Sequence, residues 1–257
     1  IADRGAAAFY EGEIASDIVR AARAHPSASD ITEADLAAYR VAEREPVCGR
    51  YRSMRVCGMG PPSSGGIAVA QILALVERYP LRQWGPNSAD SVHVISEAGR
   101  LAFADRNRYL ADPDFVMIPG GLLDPAYLKA RGDLIDLKQS MKRAEPGSPP
   151  GAKVALADDQ SPEFPGTSHL SIVDRYGNAV SMTTTIEDQF GARVMVRGFL
   201  LNNELTDFSF VPQENGAPVA NRIQAGKRPR SSIAPIIVFD RQDHPVIVTG
   251  SPGGSAI

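Results

Sequence analysis

The hydrophobic period of this chain changes once, at residue 167. Up to residue 143 the apolar residues recur mainly at helical spacing, whereas from Thr167 onward they alternate as strands do. Between these parts lies AEPGSPPGAKVALADDQSPEFPG, residues 144–166, which is rich in Pro, Gly and acidic side chains and has no sustained period. The two periods call for different packing, so the sequence specifies an α+β protein. A mainly helical part, 1–166, ends in a mobile linker, 144–166, and a β-rich part, 167–257, follows. A chain of 257 residues, 43% hydrophobic and 22% charged, can bury a sizeable core as one large domain or two small ones.

Local signals fill in the elements. Ile14, Ile18, Val19 and Ala22 predict an amphipathic helix within 11–25, and Asp30 or Thr32 is placed to cap a short second helix. PVCGRYRSMRVCGMGPPSSGG reads as a hairpin about Arg52-Ser53 followed by a turn. Ser64 and Ser88 then cap two helices, in the second of which Val92, Ile95, Gly99, Ala102 and Phe103 share the face expected to be buried. Beyond Thr167, HLSIVD and NAVSMTTTI flank an RYGN turn, GFLLNN is a short strand, and IAPIIVFD and PVIVTG flank RQDH.

Several function classes are disfavoured. A formal charge of −3 with scattered Lys and Arg gives no basic surface, so nucleic acid is not an expected partner. The longest apolar stretch, 67–76, is interrupted by Gln71 and falls far short of the ~20 residues of a membrane span. IADRGAAAFYEGE is too polar for the apolar core of a signal peptide. The four histidines show no HExxH or paired-Cys spacing, so no metal site and no cofactor are expected. No GxSxG elbow occurs; SSGG at 63–66 is explained by a capped helix start, and GSPGG at 250–254 reads as a turn or an oxyanion nest.

Thr167 stands out by position. A threonine hydroxyl can be activated by its own α-amine, whose pKa of about 7.7 leaves free base near neutrality, provided the threonine begins its chain. Attack of that hydroxyl on the Gly166 carbonyl, by an N-to-O acyl shift, would create such a terminus. The plainer reading is a threonine that starts a strand.

Longer blocks carry a resemblance. TSHLSIVDRYGNAVSMTTTIEDQFG, FLLNNELTDFSF, GKRPRSSIAPIIVF and VTGSPGGS, in that order, are similar to the small-subunit core of the γ-glutamyltransferase (γ-glutamyl transpeptidase) family. DLAAYRVAEREPVCGRYR, GPPSSGG and AFADRNRYLADPDF resemble the latter part of its large subunit. The resemblance implies an Ntn-hydrolase αββα sandwich, incomplete here at both ends, and a precursor that cuts itself into a heterodimer. It implies hydrolysis or transfer of γ-glutamyl groups from compounds such as glutathione, without a cofactor, in a periplasmic or secreted protein. By the same resemblance Thr167 is the nucleophile and Thr185 its supporting hydroxyl. Glu187, Glu204 and Asp207 hold the substrate ammonium, Ser231 and Ser232 its α-carboxylate, and the Gly253 and Gly254 amides form the oxyanion hole.

There are departures from the family pattern. Glu187 and Glu204 stand where some members have Asn and Gln, and the segment 210–227 is short and lacks a tyrosine, which implies a more open site. An acylase of glutaryl-type side chains and a catalytically inactive fragment are the competing readings. Cys48 falls opposite Cys57 if Arg52-Ser53 is a two-residue turn, so the pair is either a disulfide, expected if the protein is exported, or two buried thiols.

Overall fold

The computed structural model describes residues 1–162 and 166–253. Helices α1 (Ala7–Tyr10), α2 (Glu13–Ala24) and α3 (Glu33–Ala38) precede a hairpin of β1 (Val47–Tyr51) and β2 (Met54–Gly58). Then come α4 (Gly65–Val76), α5 (Leu81–Trp84), α6 (Ala89–Tyr109) and α7 (Pro125–Gly132). The remainder is strand and loop: β3 (Thr167–Val173), β4 (Ala179–Thr185), β5 (Met195–Val196), β6 (Phe199–Leu200), β7 (Gln213–Glu214), β8 (Ala217–Pro218), β9 (Ile236–Phe239) and β10 (Pro245–Thr249). The protein is α+β.

The two parts share a sheet. An antiparallel sheet runs β1-β2-β9-β10, and its central seam pairs Arg55 with Phe239 and Gly58 with Ile236. Strands from either side of Thr167 therefore complete one hydrogen-bonded layer, while β3 and β4 form a separate ribbon. The start of α4 packs closely on the segment leading into β9: a Cβ on Gly65 would lie 2.4 Å from the Ile233 carbonyl oxygen, so only glycine permits this approach. Between α4 and α6 a core of Leu75, Val76, Val94, Ala98 and Leu101 is buried. No helix among the described residues is long and apolar enough to cross a membrane.

Local chemistry explains several ends. Thr32 and Asp35 form a capping box at the start of α3, so of the two caps weighed for that helix it is Thr32 that serves. Ser88 accepts from the Ser91 amide at 3.1 Å to start α6. Ser64 behaves differently. It occupies the N-cap position of α4, yet its hydroxyl makes no cap bond and donates instead to the Ser231 carbonyl at 2.8 Å, so helix capping does not account for SSGG. In the β1–β2 hairpin Cys48 pairs with Cys57 as the two-residue turn requires, and the two form a disulfide with Cα atoms 4.1 Å apart.

The expected face of α6 needs correction. Val92 and Ile95 are 54% and 44% exposed, whereas Val94, Ala98, Leu101 and Ala102 are buried together with Glu97, Asp105 and Arg106. Polar side chains on the inner face blur the apolar period, and each is held by distant partners. Glu97 accepts from the Ser140 hydroxyl and the Met141 amide, both at 2.8 Å. Asp105 accepts from the Tyr127 hydroxyl at 2.6 Å and from the Gly147 amide at 2.8 Å. That last bond fastens part of the stretch expected to be a mobile linker. Residues 144–162 have no helix or strand, but Tyr109 also donates to the Gly147 carbonyl, and buried Asp159 pairs with buried Arg230 at 3.0 Å.

Candidate active site

Strand pairing creates the first part of the site. In the β3–β4 ribbon Thr167 lies directly opposite Thr185, so the register of a seven-residue pairing brings the two threonines to its open end. The Thr185 hydroxyl donates to the Gly166 carbonyl oxygen at 2.6 Å and accepts from the Glu187 amide at 2.8 Å. The carbonyl immediately before Thr167 is thus held by a donor that is itself held in place. Gly166 is required sterically, because a Cβ there would sit 1.8 Å from the Glu187 carbonyl oxygen. A cavity of about 370 Å³ opens at this point, bordered by Thr167, Thr185, Ile186, Asp188 and Gln189.

The second part is acidic. Glu187 has φ +72°, in the left-handed region that non-glycine residues seldom occupy, and its side chain is only 4% exposed. Its Oε2 accepts from the Asn203 side-chain amide, while its Oε1 is buried with no hydrogen-bond partner. Asn203 is fixed in turn, donating its backbone N–H to the Ile186 carbonyl at 3.2 Å and accepting from the Asp188 amide at 3.0 Å. The 3₁₀ turn that follows, Glu204–Asp207, sets Glu204 against Asp207 and Glu187. The Glu204 Oε1 is also buried without a partner. Burial raises the Glu204 pKa, the Glu187 charge raises it further, and a hydrogen bond with Asp207 opposes both. Two buried carboxylate oxygens left unpaired are costly, and a cationic ligand would satisfy them.

The serine pair lies on a loop tied to the first half of the chain. The Ser231 amide donates to the Pro62 carbonyl at 3.1 Å, and its carbonyl accepts from both the amide and the hydroxyl of Ser64. Ser232 Oγ accepts from the Arg106 guanidinium. Asn221, fully buried, connects this loop to the acidic turn: it donates to the Asp207 carbonyl at 2.7 Å and accepts from the Arg230 amide at 2.9 Å.

The glycine segment leaves β10 beside β3. Ser181 of β4 donates to the Thr249 carbonyl at 2.9 Å, and Gly250 packs so closely on His169 that a Cβ would lie 2.2 Å from the ring. Gly253 has φ +128°, a conformation that favours glycine; Gly254 lies outside the described residues.

The structure thus brings Gly166, Thr167, Thr185 and Glu187 together, joins Glu187 to Glu204 and Asp207, and seats Ser231 and Ser232 on Ser64 and Arg106. Asn203, Asn221 and Arg106 were not singled out from sequence, although the first two flank the acidic turn and Arg106 lies in AFADRNRYLADPDF. A larger cleft of about 630 Å³ on the four-stranded sheet, between Tyr51, Val69, Leu73 and Ile247, is mostly apolar. None of the threonine pair, the acidic residues or the serine pair lines it.

Comparison with known proteins finds relatives that match along the whole chain. A sequence model of the family described as Gamma-glutamyltranspeptidase matches residues 1–257. The chain is 41% identical over 270 residues to a glutathione hydrolase proenzyme of Escherichia coli (strain K12), and 39% identical over 269 residues to one of Bacillus subtilis (strain 168). Each alignment covers 100% of this chain and 44% of the relative, so the chain spans less than half the length of these proteins. Among solved structures, a cephalosporin acylase from Bacillus halodurans superposes with a TM-score of 0.79 at 28% identity, covering 96% of this chain and 41% of the acylase.

Proposed function

The chain belongs to the gamma-glutamyltranspeptidase family, and we propose that it carries the core of a γ-glutamyl hydrolase and transpeptidase that matures by cutting itself before Thr167. The observation behind this reading is the 2.6 Å bond from the Thr185 hydroxyl to the Gly166 carbonyl, next to a threonine hydroxyl. Attack by Thr167 Oγ on that carbonyl carbon would move negative charge onto the oxygen that Thr185 already grips. Breakage of the C–N bond then leaves an ester on Oγ and an amine on Thr167. Water hydrolyses the ester, giving a Gly166 carboxylate and a free N-terminal threonine. Residues 1–166 and 167–257 become parts of two subunits, held together by the shared sheet. The corresponding architecture is the Ntn-hydrolase αββα sandwich.

In the mature enzyme the Thr167 amine takes the proton from its own hydroxyl, and Oγ attacks the γ-carbonyl of the substrate. The Gly253 and Gly254 amides receive the oxyanion, the amine leaves with a proton, and a γ-glutamyl ester remains on Thr167. Water resolves it to glutamate; an amino acid resolves it to a new γ-glutamyl peptide. The unpaired oxygens of Glu187 and Glu204, together with Asp207, suit a substrate ammonium, and Ser231 and Ser232 suit its α-carboxylate. The Cys48–Cys57 disulfide supports a periplasmic or secreted location, since such bonds persist in oxidising compartments.

A second reading, removal of glutaryl-type side chains, is supported by the structural similarity to the cephalosporin acylase. A glutaryl group has no ammonium and would leave the carboxylate oxygens unpaired, so the γ-glutamyl reading is preferred. Hydrolysis of γ-glutamyl anilide and glutaryl anilide by the intact mature protein tests the choice. A kcat/KM favouring the glutaryl substrate would reverse it.

A further inference from the structure

We propose that Arg106 is a positioning residue for recognition of the substrate α-carboxylate, acting through both members of the serine pair. The inference rests on the reading of Ser231 and Ser232 as the carboxylate-holding pair. Arg106 is only 2% exposed, near the end of α6, with its guanidinium beside the Phe103 ring, 5.2 Å from the centroid. Its Nη2 donates to Ser232 Oγ, and its Nε donates to Ser64 Oγ at 2.9 Å. Ser64 Oγ donates onward to the Ser231 carbonyl at 2.8 Å. One planar cation therefore sets Ser232 directly and Ser231 through a single intervening hydroxyl.

The direction of these bonds matters. A guanidinium can only donate, so it occupies a lone pair of Ser232 Oγ and biases that hydroxyl toward acting as a donor itself. A carboxylate requires donors, and the fixed positive charge behind the serine further favours an anion. Lysine keeps the charge but not the fork, and cannot reproduce the geometry of two N–H bonds to two hydroxyls. The residues joined are 126 apart in sequence and lie on opposite sides of the Gly166-Thr167 bond, so the helical part would tune a subsite carried by the β-rich part.

The test uses the intact mature protein with two substrates, a γ-glutamyl anilide and its α-carboxamide analogue. Arg106→Lys is expected to raise KM for the α-carboxylate substrate about tenfold or more, the loss of a hydrogen bond to a charged group, with kcat changed less than about threefold. The carboxamide substrate should hardly respond. Ser232→Ala should act similarly, and the double variant should fall well short of the product of the two effects. If Arg106→Lys does not accumulate as folded protein, Ser64→Ala, which removes only the arm to Ser231, carries the same comparison. Equal KM increases for acid and amide, or a fall in kcat alone, would overturn the inference by showing general loosening. If Ser232→Ala leaves the KM of the α-carboxylate substrate unchanged, the serine-pair reading itself fails. If Ser232→Ala raises KM and Arg106→Lys does not, only the role of Arg106 fails.

Discussion

Replacing Thr185 with valine removes one oxygen and keeps the shape of the side chain. That oxygen makes two bonds, one donated to the Gly166 carbonyl at 2.6 Å and one accepted from the Glu187 amide at 2.8 Å. As ground-state bonds they contribute about 1 kcal/mol each, so the uncut protein should lose roughly 2 kcal/mol of stability. The effect on self-cleavage should be larger than that of a stability change alone. If the hydroxyl donates to the oxyanion formed when Thr167 attacks, removal of this single donor should slow cleavage by about 10²–10³-fold. Thr185→Ser, which keeps the donor, should retain much of the rate. The rate is read from freshly translated precursor, by following the loss of the uncut band, and chemical denaturation of the uncut Thr167→Ala background gives the stability term separately. A Thr185→Val precursor that cleaves at the wild-type rate would refute the role of this hydroxyl.

Three further outcomes follow from the same geometry. Gly166→Ala should block maturation, because its Cβ would lie 1.8 Å from the Glu187 carbonyl oxygen and must push the scissile peptide off Thr185; prompt cleavage of this variant would contradict that placement. Glu204 has its pKa raised by burial, so its contribution to stability is present at low pH and is lost as pH rises through the raised value. A substrate ammonium favours the ionised form, so KM should fall as pH rises through the raised value, and Glu204→Gln should flatten that dependence; an unchanged KM–pH profile in the variant would exclude this role. Asp207→Ala should weaken binding of γ-glutamyl substrates by about 2 kcal/mol or more while self-cleavage proceeds, and normal binding would remove Asp207 from the site.

Local patterns carried much of the fold into the sequence. Alternation about RYGN marked β3 and β4, though not that Thr167 would face Thr185, and a two-residue turn set Cys48 against Cys57. Thr32 and Ser88 announced their helices because a cap acts within three residues. What stayed hidden depends on distant partners. The inner face of α6 carries Glu97, Asp105 and Arg106, whose burial makes sense only once Met141, Gly147 and Ser232 have arrived. Ser64 resembles a helix cap in sequence, yet its hydroxyl is claimed by Ser231, 167 residues away. Glu187 was legible as a candidate ligand, but not its left-handed backbone or its hold on Asn203, which arise where β4 ends and the chain must turn back to meet the acidic loop. Pro and Gly content marked 144–166 as irregular, but could not reveal that Asp159 would be buried against Arg230.

Whether Thr167 cuts its own chain and then performs the acyl transfer is tested most directly by mass spectrometry and γ-glutamyl anilide hydrolysis of the intact precursor carrying Thr167→Ala. Both cleavage and turnover should be abolished, because the attacking oxygen and the acyl acceptor are the same atom. Thr167→Ser should retain some of each, since a hydroxyl and an N-terminal amine remain, though without the methyl that restricts χ1. A Thr167→Ala precursor that still splits between Gly166 and residue 167, or that still releases the anilide, would show that another group does the chemistry and that this threonine only begins a strand.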